Sequence, residues 1–166
     1  MKRRTRILID ARDLIADPTL WGQGSMESDH DPPKRCISGA ICAAAGIDET
    51  EIQSNPVTAD VIALVRSVIE SRYDGEKKLR AFMTLEDIEH CPPTNNDWLV
   101  GFNDYSRHDE VLSVLDEAIA QSEPCQECET ELTAETFHLL TIDDNPEQIL
   151  CGHCAMLAQY PEGDPP

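Results

Sequence analysis

Residues 106–121 read S-R-H-D-E-V-L-S-V-L-D-E-A-I-A-Q, and this stretch decides the fold. Val111, Leu112, Leu115, Ala118 and Ile119 recur at the 3.6-residue period and share one side, while Glu110, Asp116 and Glu117 fall mostly elsewhere. Ser106 with Asp109 three residues on resembles a capping box, with Asp in the usual Glu place, and acids in the first turn suit the helix dipole. The stretch is an amphipathic helix, closed by Ser122-Glu123-Pro124.

Working back toward the N-terminus, the same period recurs. Residues 57–72 place Val61, Leu64, Val65, Val68 and Ile69 on one face, with Pro56 near the start, where a missing N–H costs little. Residues 5–17 line up Ile7, Leu8, Ala11, Leu14 and Ile15 until Pro18 stops the helix. Residues 36–45, C-I-S-G-A-I-C-A-A-A, are small enough to let another helix approach closely, and Gly46 ends them. Residues 76–82 and 85–89 offer further short helical turns, broken by Cys91-Pro92-Pro93. Trp98-Leu99-Val100-Gly101-Phe102 is apolar but too short to decide between strand and packed loop. Residues 1–122 therefore read as a mainly α domain. With aromatics at 5%, its core must be mostly aliphatic.

Beyond this helix the chemistry changes. Cys125-Gln126-Glu127-Cys128, 22 residues, then Cys151-Gly152-His153-Cys154 is the ligand spacing of a structural zinc site, each pair turning two thiolates toward one tetrahedral ion. Between the pairs, residues 135–142 have strand character, Asp143-Asp144-Asn145-Pro146 is a turn signal, and residues 147–150 return. The reading is a β-hairpin zinc-ribbon or treble-clef-like module over 123–160, with a disordered tail at 161–166. So few residues bury little core, and Zn²⁺ binding at about 10–16 kcal/mol would supply the missing stability. Cys-Gly-His-Cys also occurs in thiol–disulfide oxidoreductases, but no βαβ pattern precedes it and a second pair waits at zinc distance. A His-Asn-His nuclease needs more than the lone His138 in the interval. No P-loop, G-x-S-x-G or H-E-x-x-H is present. Cys36, Cys42 and Cys91 read as small buried hydrophobes.

The net charge is −19, unevenly spread. Five of thirteen Lys and Arg lie in the first twelve positions. None follows Arg107, whereas fourteen Asp and Glu do. A zinc module without cations repels phosphates, so direct nucleic-acid binding is not expected, and a protein with a basic surface is the expected partner. No apolar run is long enough to span a membrane, and Asp10, Arg12 and Asp13 interrupt any signal-peptide core, so a cytoplasmic location is expected.

The first domain resembles a family of small uncharacterised proteins from actinobacteria and their bacteriophages. The resemblance rests on A-R-D-L-I-A-D-P (11–18), W-G-Q-G (21–24), C-I-S-G-A-I (36–41), F-N-D (102–104) and E-V-L-S-V-L-D-E-A-I (110–119). Phe102 departs from the family's usual Trp. The resemblance covers about 5–121, leaves the cysteine module outside, and implies a source, with the host cytoplasm as location for a phage product, but no activity. Within it, Trp21, Gln23, Asn103 and Asp104 invite two readings. In one, Trp21 covers the end of the core while Asn103 and Asp104 satisfy a turn. In the other they form a pocket in which Asp104, Arg107 and His108 bind a small ligand, the basis of an enzymatic alternative that includes redox chemistry at Cys151/Cys154. The preferred expectation is a non-enzymatic interaction protein.

Overall fold

The computed structural model describes residues 2–73 and 75–123, together with the backbone of two short strands, 137–140 and 148–151. Among the described residues, seven α-helices run in order: α1 (Arg3–Leu14), α2 (Ile37–Ala45), α3 (Pro56–Arg72), α4 (Gly75–Phe82), α5 (Leu85–His90), α6 (Asn95–Asp104) and α7 (His108–Ser122). No strand occurs among the described residues up to 123. Strands β1 (Phe137–Leu140) and β2 (Gln148–Cys151) pair antiparallel, with Phe137 opposite Cys151 and Leu140 opposite Gln148. The zinc-ligand candidates Cys125, Cys128 and Cys154 and the tail 161–166 lie outside the described residues. Of Cys151 only the backbone is described.

Local chemistry sets the helix ends. Asn55 accepts from the Val57 N–H and Pro56 occupies the first turn of α3, where its missing donor is harmless. Gly46 ends α2 at φ +68°, a conformation that penalises any Cβ. The stretch around Trp98, undecided between strand and loop, is helix. Thr94 and Asp97 form a capping box directly after the two prolines, the Asp97 carboxylate accepting from Thr94 N–H at 2.7 Å. The box expected at the head of α7 is replaced by a single carboxylate contact one residue on, since the N-cap Arg107 has no side-chain acceptor. Glu110 accepts from the Arg107 N–H at 2.9 Å, and the Ser106 hydroxyl instead accepts from Lys78 Nζ at 2.7 Å.

Helices α1 and α7 lie antiparallel, as their cross-links show. Arg4 Nη2 donates to Ser122 O at 2.9 Å, Arg12 Nε meets Asp116 at 2.9 Å, and the His108 ring lies 2.7 Å from Ile15 O. α3 packs against α1, α6 and α7, and α4 lies along α6. Among the described residues, the largest fully buried side chains are Leu8, Ile9, Ile15, Ile37, Ile41, Ile62, Ile69, Leu99, Leu115 and Ile119, with Phe102 the one aromatic. Each contributes about 1.5–3 kcal/mol by leaving water. The face of α1 is wider than its stripe implied, since Thr5 and Ile9 are buried too and Leu14 is only partly so. Cys36 and Cys42 are buried, and burial pushes the Cys42 thiol up to about 12. Cys91 is exposed instead, because it ends the short helix α5 beside Pro92.

The small residues of α2 let helix α1 pack closely against it, as the sequence leads one to expect, and at Gly39 a second neighbour comes close as well. A Cβ on Gly39 would lie 1.9 Å from the Met26 carbonyl oxygen, so that approach is made by the loop between α1 and α2. Gly39→Ala gains at most about 1 kcal/mol of helix propensity, but the clash is with backbone and must displace the loop. A net loss of about 1–3 kcal/mol is expected in urea unfolding. An unchanged midpoint would show that the loop yields freely.

Candidate functional site

The loop after α1 folds back on itself before entering α2. Gly22 N–H donates to Arg35 O at 3.0 Å, Arg35 N–H to Leu20 O at 2.9 Å, and Cys36 N–H to Met26 O at 3.2 Å. The Arg35 guanidinium meets Glu27 at 2.7 Å. This closure presents Trp21, Gly22, Gln23 and Gly24 to the C-terminal end of α6, where Asn103 and Asp104 sit.

Asn103 is wholly buried, and its amide is fully used. Its oxygen accepts from Trp21 Nε1 at 2.9 Å and from the Ile37 N–H at 3.2 Å. Its nitrogen donates to Gly22 O at 3.0 Å and to Asp104 Oδ1 at 3.1 Å. Two lone pairs and two N–H groups match four partners, which is all a side-chain amide can make. The Ile37 N–H is the first of α2, otherwise an orphan donor. One side chain thus ties the loop, the start of α2 and the end of α6. The Gln23 amide donates to the carbonyls of Asn103, Asp104 and Ser106 at 2.9, 3.1 and 3.1 Å, capping the last turn of α6 from outside. Asp104 Oδ1 also accepts from Gly24 N–H at 2.9 Å, and Gly24 holds φ +79° to present it.

Five of the six pocket candidates therefore come together. The Trp21 ring packs 5.4 Å from the His108 ring, and His108 reaches back to Ile15 O. Arg107 does not join them. Its side chain is exposed and pairs with Asp109 at 3.1 Å. The Trp21 and Gln23 side-chain N–H groups and the Asn103 amide point at one another, at Asp104 or at main chain, the geometry of a structural clamp. Among the described residues, no group of three or more His, Cys, Asp or Glu is placed to hold a metal ion.

Two further features carry no sequence signal. Lys78 is held over the Phe102 ring at 4.4 Å, between Ser106 and Glu110, the latter at 3.3 Å. The Arg107 N–H, aided by Lys78, holds the Glu110 carboxyl below its usual range. Arg66 stacks 5.1 Å over Trp98 while donating to Asn95 at 2.8 Å.

Among the described residues, no helix is long and apolar enough to cross a membrane. Neither a curated protein nor a solved structure matches the chain. A model of a family of unknown function, DUF6197, matches residues 1–121, which is the helical unit up to the penultimate residue of α7. The chain belongs to that family of unknown function, and its cysteine-bearing segment lies beyond the matched span.

Proposed function

We propose that this is a non-enzymatic interaction protein in which the helical unit carries a Cys₄ zinc module whose acidic surface receives a basic protein. The observation that carries the reading is the C-x₂-C, 22 residues, C-x₂-C spacing in a stretch with no Lys or Arg after Arg107. Four thiolates on Zn²⁺ form a coherent donor set, and their charge outweighs that of the ion, deepening the acidity. The register of β1 with β2 supports the reading, because an antiparallel pair returns the chain to the end at which it entered. The chain thus enters β1 at Phe137 and leaves β2 at Cys151 on one end of the hairpin. The engaged polar atoms around Asn103 speak for a structural clamp over a catalytic pocket, since a substrate would first have to displace them.

The ligands would be Cys125, Cys128, Cys151 and Cys154, and the zinc structural. A cytoplasmic setting, in an actinobacterium or in the host of a phage, fits reduced thiols. A basic nucleic-acid-handling protein is a natural partner class, the carboxylates standing in for phosphates. Metal analysis of protein purified without added chelator should give one zinc per chain. Titration should find four thiols masked until the metal is stripped. A chain without stoichiometric metal, with Cys151 and Cys154 cycling between thiol and disulfide, overturns the reading in favour of an oxidoreductase.

A further inference from the structure

We propose that the basic cleft at the N-terminal ends of α1 and α3 is a docking surface for the acidic stretch of this same chain at residues 127–135. The cleft, of about 510 Å³, is lined by Lys2, Arg3, Arg4, Pro56, Val57 and Asp60. Carboxylates far outnumber cations in this chain, and most cations sit beside one: Arg12 with Asp116, Arg35 with Glu27, Arg66 with Glu70, Arg72 with Glu117. Lys2 and Arg3 are exposed at the cleft and have no ion pair among the described residues.

The head of α1 adds to this positive charge. Its first turn holds no acid, Lys2 gives it no side-chain cap, and the helix dipole puts further positive charge beside Arg3 and Arg4. Two carboxylates are supplied there: Asp60 pairs with Arg4 at 3.3 Å, and Glu123 comes from the far end of the helical unit. Glu123 accepts from the Lys2 N–H and from the Thr5 hydroxyl, the latter at 2.9 Å. The chain therefore leaves α7 at the rim of the cleft, with Ser122 O already fixed by Arg4. Past that point come Glu127, Glu129, Glu131 and Glu135, and no Lys or Arg to the end of the chain.

Reach and tethering complete the case. Glu127 is four residues beyond the anchored Glu123, and each extended residue spans about 3.3 Å. An exposed ion pair contributes only about 0.2–1 kcal/mol, too little to hold two separate molecules. A short linker raises the effective concentration to the millimolar range, where several such pairs suffice. The contact closes the basic patch and covers part of the acidic surface. Within the function proposed above, a basic partner must compete with Lys2 and Arg3 for these carboxylates. The docking itself does not require the metal.

Carbodiimide cross-linking of the dilute full-length protein, read by mass spectrometry, tests this. Lys34 and Lys77, which are also exposed, serve as comparison amines. Lys2 should link to glutamates 127–135 in about fivefold or greater excess over Lys34 and Lys77. Arg3→Glu, or about 0.5 M salt, should cut that yield about fivefold. Equal yields from the three lysines overturn the proposal. So do links found only between differently isotope-labelled copies. Zinc content measured on the same sample keeps failure of the metal reading separate from failure of the docking.

Discussion

Asn103→Ala is expected to lower the unfolding free energy by about 3–5 kcal/mol, with the loop from Trp21 to Gly24 coming loose first. The substitution strands the Ile37 N–H and Gly22 O in a site where Asn103 itself has no exposure. A buried polar group left unpaired costs about 1–3 kcal/mol. The Trp21 indole N–H also loses its acceptor, but Trp21 is only partly buried and water recovers some of that term. Asn103→Asp separates hydrogen bonding from shape. It keeps the acceptor for Trp21 and Ile37, loses the donor to Gly22, and sets a second carboxylate against Asp104. The loss at neutral pH should equal or exceed that of alanine. It should shrink on acidification, because burial and the neighbouring carboxylate raise the new group's pKa, and protonation restores a donor. Urea unfolding followed by tryptophan fluorescence checks both variants. A loss below about 1 kcal/mol in each would mean that the clamp is not what holds the loop.

The second large effect concerns the proposed metal. Removing zinc with a strong chelator should abolish the fold of the cysteine-bearing segment and leave the helical unit standing. Structural zinc at such sites is worth about 10–16 kcal/mol, as much as or more than the whole stability of a typical small domain. Among the described residues, by contrast, the helical core is one cluster of buried apolar side chains running from Ile7 to Ala120. Limited proteolysis should therefore move its cuts to positions after Glu123 on chelation, while the far-UV helical signal changes little. Cys128→Ser should reproduce the cuts without chelator. An unchanged digestion pattern in both cases counts against four sulfurs sharing one ion.

What could be read from the residues followed the strength of their periodicity. α3 and α7 run for four turns or more with apolar residues on one stripe, and both lie within two residues of where the pattern puts them. α6 was missed because Trp98 to Phe102 is one apolar pentad, too short to show a period. Its signal was the Thr94–Asp97 capping box just upstream. The start of α7 was misplaced for a related reason. Ser106 and Arg107 each stand three residues before an acid, and the Ser106 hydroxyl is engaged by Lys78 while Glu110 accepts from the Arg107 N–H, so the N-cap falls on Arg107. Gly39 could be recognised as a place of close approach, but sequence could not say that a loop carbonyl makes it.

By itself the sequence determined that the first 122 residues are helical, that their core is aliphatic, and that the charge grows more negative toward the C-terminus. These follow from composition and spacing within single segments. Only the tertiary structure decided what Asn103 does, because its four hydrogen-bond partners come from a loop more than sixty positions away, from the head of α2 and from its own neighbour. A polar side chain in the sequence is an open valence. Which groups fill it depends on how distant helix ends are brought together when the apolar faces leave water.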